Sequence, residues 1–166
     1  MKALFIGGIK SGKSRQAEQY TRTLSQGSSK PCYLATTEFV DAEMQERIEL
    51  HRQRRNEHFI TLEAPLDLYT ALQGCDAPVL VECTTMWINN MLYHNRSREE
   101  ILEHIEKVLT LPGDLVFVHN DVGSGIIPDN ALARLYADIS GIVSQMIANR
   151  CDEVYHCIAG IAARIK

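Results

Sequence analysis

The run Ala3-Leu4-Phe5-Ile6-Gly7-Gly8-Ile9-Lys10-Ser11-Gly12-Lys13-Ser14 decides the fold. Its first four residues form a short apolar run, the mark of a buried strand, and the residues from Ser14 to Leu24 carry a helical period. Between them, Gly7 to Ser14 is a full match to GxxxxGK[ST]. A glycine-rich turn in this place lets backbone N–H groups face inward at a helix N-terminus, where an anion is favoured. Lys13 then reaches the β and γ phosphates of a bound nucleotide, and the Ser14 hydroxyl is a candidate Mg²⁺ ligand. The bland alternative is a glycine-rich turn with a surface lysine; the flanking strand and helix weigh against it.

Working outward, short apolar runs alternate with longer helical stretches, the pattern of an α/β sheet with helices packed on it. Strands are expected at Ala3 to Ile6, Pro31 to Ala35, Pro78 to Val81, Leu115 to Val118 and Glu153 to Ile158. Helices are expected at Ser14 to Leu24, Asp41 to Arg55, from the capping box Ser97-Arg98-Glu99-Glu100 to Leu109, and at Asn130 to Asn149. No repeat or linker divides the chain, so the expected fold class is α/β, P-loop NTPase-like, with a mainly parallel central sheet flanked by helices in a single domain over residues 1–166.

Composition excludes several classes of function. The 166 residues are 45% hydrophobic, enough to bury a core without staples. A formal charge of −4 offers no global positive field, so nucleic acid is not expected as a partner. Cys32, Cys75, Cys83, Cys151 and Cys157 are scattered without a CxxC pair, which fits reduced core thiols in the cytoplasm and neither a disulfide framework nor a zinc site. The opening residues are too short for a signal peptide, and no apolar run approaches the ~20 residues needed to insert into a membrane.

Two further features carry chemistry. Pro78-Val79-Leu80-Val81-Glu82 ends a buried strand on a carboxylate, and Glu82 is a candidate to order Mg²⁺ beside Ser14. In the helix Asp41 to Arg55, Met44, Ile48, His51 and Arg55 share one face, flanked by Arg47 and Arg54. A histidine among arginines is held neutral and nucleophilic near pH 7. The opposite reading is a histidine and arginines at a helix C-terminus complementing the dipole, and spacing alone favours it. His58 and His94 read as surface or loop residues, His104 as part of an exposed charged helix and His156 as a strand residue. The loop Asp121 to Pro128 leaves the end of an apolar strand, where open α/β sheets place ligands, so a substrate-facing role is expected.

With these residues in place the chain resembles the bifunctional adenosylcobinamide kinase/adenosylcobinamide-phosphate guanylyltransferase family of cobalamin assembly. The similarity covers Gly7-Gly8 through Ser14 with Ala17-Glu18, Tyr33-Leu34-Ala35-Thr36, Asp41 through Glu63, Leu80-Val81-Glu82-Cys83, Trp87 and Asn120 to Pro128. Arg134, Asp138, Gly141, Gln145 and the closing Ala159-Gly160-Ile161 to Lys166 extend it. The resemblance implies that His51, within Asp41, Glu43, Met44, Arg47, Ile48, His51 and Arg55, is the residue that becomes guanylylated. It places nucleotide contacts on Gly7, Gly8, Ile9, Lys10, Ser11, Gly12, Lys13 and Ser14, on Ala35, Thr36 and Thr37, on Arg52, Gln53, Arg54 and Arg55, and on Glu63 and Glu82. GTP, ATP and Mg²⁺ are the implied cofactors, adenosylcobinamide the corrinoid substrate, and a homotrimer the assembly. The chain departs from the family pattern at Lys10 for arginine, His119-Asn120-Asp121 for Thr-Asn-Glu, Phe59 for tryptophan and Ser144 for asparagine, and the segment Tyr93 to Arg98 is short. The P-loop, His51, Glu63 and Glu82 all survive, so the resemblance implies intact guanylyl transfer, and the departure in the loop near Asp121 bears on the kinase half or its corrinoid contacts. A small-molecule kinase without guanylyl transfer is the alternative. A GTPase-type switch lacks the N-K-x-D motif, as no Asn-Lys pair occurs in the chain.

Overall fold

A computed structural model describes residues 1–25, 29–38 and 57–166. The expected helix from Asp41 to Arg55, with His51, lies outside the described residues. Strands β1 (Lys2–Gly7), β2 (Cys32–Ala35), β3 (Ile60–Glu63), β4 (Val79–Glu82), β5 (Leu115–Asn120), β6 (Glu153–Ile158) and β7 (Ile161–Arg164) form one sheet in the order β3-β2-β4-β5-β1-β6-β7. All neighbours pair in parallel except β6 and β7. The described helices are α1 (Lys13–Leu24), α2 (Leu68–Leu72), α3 (Thr84–Tyr93), α4 (Arg98–Thr110) and α5 (Ala131–Arg150). None of them is long and apolar enough to cross a membrane.

The two-residue period of a strand sorts side chains onto the two faces of the sheet. On one face, Leu4 of β1 and Leu115 and Phe117 of β5 pack with Trp87 and Ile88 of α3, Ile101 and Ile105 of α4, and Ile139 and Val143 of α5. On the other, Ala3, Phe5, Val116 and Val118 pack with Ala17 of α1. Burial on both faces is why the central strands read as continuous apolar runs. By the same alternation His119, two residues beyond Phe117, belongs to the face that carries α3 and α5.

The structure adds elements that the sequence did not announce. β3 is a half-exposed edge, and β7 pairs with β6 across a two-residue turn, Ala159–Gly160, with φ of 52° and 84°. Positive φ at both central residues is the hairpin geometry usually signalled by Asn-Gly or Asp-Gly, and Ala159 conceals that signal. α3 begins at Thr84 with no side-chain cap at Cys83, so no start signal precedes it. α4 opens as expected, with Ser97 Oγ accepting from the Glu100 N–H and the Glu100 carboxylate accepting from the Ser97 N–H.

Candidate functional site

The loop of residues 7–14, the candidate phosphate loop, joins β1 to α1 at the carboxyl end of the sheet, where parallel α/β folds leave a crevice. A Cβ on Gly7 would stand 2.4 Å from the carbonyl oxygen of Cys157, so glycine is what lets β1 and β6 close at this level. Ile9 and Lys10 stand in solvent, Lys10 at φ 56°, while Ser11 and Lys13 turn inward. The Lys13 ammonium lies 3.1 Å from the Gly8 carbonyl oxygen and braces the loop across its mouth. Such a buried cation at a helix N-terminus favours an anion in the same place.

α1 leaves β1 and packs across β5 to reach β4. Its first turn thereby brings the Ser14 hydroxyl to 2.8 Å from Glu82 Oε1 at the end of β4. Ala35 of β2 is level with Glu82 on one side and with Glu63 of β3 on the other, so three of the expected nucleotide-site residues share one row at the sheet's edge. Thr36 is fully buried: its hydroxyl accepts from the Cys83 N–H at 2.9 Å and faces the carbonyls of Glu82 and Cys83. Its carbonyl in turn accepts from the buried amide of Asn90 at 2.6 Å. Thr36 therefore fixes the backbone that carries Glu82, and Thr37, half-buried, continues the chain toward solvent. Arg52, Gln53, Arg54 and Arg55, like His51, lie outside the described residues.

A polar set lies on the far side of Glu82, of which the family resemblance covers Cys83 and Asn120 and sequence reading missed Thr85. Asn120, the last residue of β5, donates its amide to Thr85 Oγ1 at 3.0 Å and to Cys83 Sγ at 3.3 Å. The Asp121 N–H donates to the Gly7 carbonyl at 3.0 Å, which ties the start of the Asp121 to Pro128 loop to the phosphate loop. That loop exposes Ile126 and Ile127 almost entirely. Burial, and then the neighbouring Glu82 carboxylate, hold the Cys83 thiol above its ordinary range. All five cysteines are free, with Cys32, Cys151 and Cys157 buried.

His119 is buried between two hydroxyls. Thr84 Oγ1 donates to the Val118 carbonyl at 3.0 Å and so accepts from His119 Nδ1 at 2.7 Å, which leaves Nε2 to accept from Ser140 at 3.0 Å. Desolvation pulls the imidazole down to about 4, with Asp121 opposing and Lys13 assisting. The folded protein thus holds His119 neutral across a range where the unfolded chain, titrating near 6.5, takes up a proton. Stability therefore falls as pH drops from about 6.5 toward about 4. Between about pH 7 and about pH 5 the loss from this group is about 2 kcal/mol. Urea titration at the two pH values checks this: His119→Gln should show a shallower pH dependence than the parent, and equal dependence in both proteins would refute it.

The other histidines differ in setting. His58 and His94 are exposed, His94 facing Glu38 at 2.9 Å, and His156 lies in β6. His104 is not an exposed helix residue as the charge pattern predicts; its ring packs tilted against Trp87 with centroids 5.4 Å apart, and burial pushes its pKa down. A cavity of about 410 Å³ opens between α2 and α4, lined by Asp67, Arg96, Glu103, His104 and Lys107 among others. It shares no residue with the phosphate loop; in its wall Arg96 pairs with Glu100, and the His104 ring lies 3.9 Å from Asp67.

Loop, sheet order and the Ser14–Glu82 contact define an α/β protein of the P-loop class. The flagellar accessory protein FlaH of Methanocaldococcus jannaschii has a similar structure, with a TM-score of 0.53 over 99% of this chain and 77% of that one; at 9% identity the likeness is one of fold. The model of the cobinamide kinase / cobinamide phosphate guanyltransferase family matches residues 3–165, and the chain belongs to that family. It is 37% identical to the bifunctional adenosylcobalamin biosynthesis protein CobP of Pseudomonas aeruginosa, across 100% of this chain and 98% of that protein. It is 36% identical to CobU of Escherichia coli and 35% identical to CobU of Salmonella typhimurium, both named as bifunctional adenosylcobalamin biosynthesis proteins and both covered in full.

Proposed function

We propose that this chain carries out two successive transfers on a corrinoid from one phosphate-binding loop. In the first, the aminopropanol hydroxyl of adenosylcobinamide attacks the γ-phosphorus of ATP or GTP, the nucleoside diphosphate leaves, and the hydroxyl proton is released. In the second, a nitrogen of His51 attacks the α-phosphorus of GTP and pyrophosphate leaves. A phosphate oxygen of adenosylcobinamide phosphate then displaces the histidine and yields adenosylcobinamide-GDP. Covalent catalysis divides one difficult exchange into two in-line steps. The observation that carries the reading is the Ser14–Glu82 contact at a phosphate loop in a chain that matches this family over residues 3–165.

In the kinase step the protein's share is positioning and electrostatics. Lys13 and the loop N–H groups hold the polyphosphate, and the row Ala35, Glu63 and Glu82 bounds it on the side of β2 and β3. The Ser14 hydroxyl and Glu82 carboxylate form an oxygen donor pair of the kind that would hold Mg²⁺. When bound, the ion offsets charge on the phosphates. Exposed Ile126 and Ile127 offer apolar contact to the corrinoid at the loop that begins beside Gly7. A cytoplasmic location and a homotrimeric assembly belong to the same reading, and sedimentation as a monomer at micromolar concentration would remove the second.

Incubation with α-labelled GTP followed by denaturation tests the reading. Label is expected to stay on the protein and to leave it when adenosylcobinamide phosphate is supplied. A chain that phosphorylates adenosylcobinamide but never retains label is a kinase alone.

A further inference from the structure

The phosphate loop is braced by an element that the proposed chemistry does not use. The turn between β6 and β7 sits against it: the Gly160 N–H donates to the Ser11 carbonyl at 2.8 Å, and the Gly160 carbonyl accepts from the Gln16 side-chain amide of α1 at 2.7 Å. A Cβ on Gly12 would fall 2.8 Å from Gly160 Cα, so loop and turn are in direct contact. β7 leaves Ile161, Ala163 and Arg164 exposed and adds little to the core.

Peptide planarity gives this brace a direction. The Ser11 carbonyl and the Gly12 N–H belong to one trans peptide unit and point opposite ways. A carbonyl held outward on Gly160 therefore aims the Gly12 N–H away from the turn. Gly12 itself has φ 91° at the N-cap of α1, a conformation from which the peptide could otherwise turn freely.

We infer that the Ala159–Gly160 turn, clamped by Gln16, is a positioning element that orients the Ser11–Gly12 peptide toward the phosphates of a nucleoside triphosphate. The inference rests on the reading that residues 7–14 hold those phosphates. It assigns the turn no part in holding the base or the corrinoid. The turn depends on positive φ, and a side chain at residue 160 would meet only the Arg15 guanidinium, at 3.6 Å. Substitution there tests backbone conformation and not space.

Gly160→Val, which strongly disfavours positive φ, is expected to weaken equilibrium binding of GTP and ATP about tenfold, the scale of one hydrogen bond lost from a phosphate site. The nucleotide KM should rise with it, while guanosine affinity and the corrinoid KM stay at the parental values. Gly160→Asn, which tolerates positive φ, should restore triphosphate binding. Gln16→Leu should weaken it in the same direction by a smaller factor, and carries the test alone if Gly160→Val does not fold. Lys13→Ala, measured in parallel, separates the two levels. If Lys13→Ala binds triphosphate normally, the phosphate-loop reading itself fails. If Lys13→Ala loses binding while Gly160→Val and Gln16→Leu keep it, the turn has no positioning role. Equal damage from Gly160→Asn and Gly160→Val, or equal loss of guanosine and triphosphate affinity, likewise overturns the inference.

Discussion

Lys13→Ala is expected to lower phosphorylation of adenosylcobinamide and attachment of GMP together, each by about two to three orders of magnitude. The side chain is 7% exposed and its ammonium spans the loop to the Gly8 carbonyl. Truncation removes the one buried cation that the described residues place within the loop, at a helix N-terminus that α1 supplies with no acidic residue in its first turn. A phosphoryl group in flight carries its charge on oxygens, so a missing charge at this position is felt in the transition state more than in the ground state. Both rates should be assayed in one preparation, with circular dichroism to verify the fold. Survival of either activity at the parental rate would mean that the two reactions do not share this loop.

His51→Ala should separate the two chemistries. GMP attachment and transfer are expected to vanish, because only they need a side-chain nucleophile, whereas phosphorylation of adenosylcobinamide should stay within a few-fold of the parent since the substrate hydroxyl attacks there. The bond at His51 would be a phosphoramidate, lost in acid and kept in mild base, unlike an acyl phosphate on Glu63 or Glu82. A variant that still takes up α-label with the same acid lability would move the nucleophile to another histidine. Loss of both activities in a folded variant would place His51 in the shared phosphate site instead.

How far the chain could be read in advance depended on whether local chemistry or tertiary packing decided each element. β1, the loop and α1 are spelled out by apolar run, glycines and helical period, and the five expected strands all appear because burial on two faces forces continuous apolar residues. β3 and β7 were not legible. They are short edges with mixed exposure, and the turn before β7 uses Ala159 where asparagine or aspartate would announce it. α3 opens on Thr84 and Thr85, poor helix formers without a cap, and is held by packing of Trp87 and Ile88. Within the site, Glu82 is marked by its place at the end of an apolar run. Asn120, Thr85 and Gln16 carry no such mark, since their partners lie 35 to 144 residues away in sequence. The misreading of His104 has the same origin: the charged sequence around it conceals a flank that faces Trp87 of another helix.

That pairing gives the molecule a built-in reporter. The chain has a single tryptophan, so its indole emission, excited apart from the six tyrosines, has one origin. Trp87 is fully buried, anchored through its indole N–H to the Leu66 carbonyl at 2.8 Å, and sits on the helix whose first residues, Thr84 and Thr85, hold His119 and Asn120. Its excited state is exposed to quenching by the His104 ring only once that imidazole takes a proton, which burial delays to acidity below the usual histidine range. Near neutral pH the emission of this one indole is therefore free of that quencher, and a change on adding nucleotide reads a shift of the α3 wall without any attached dye.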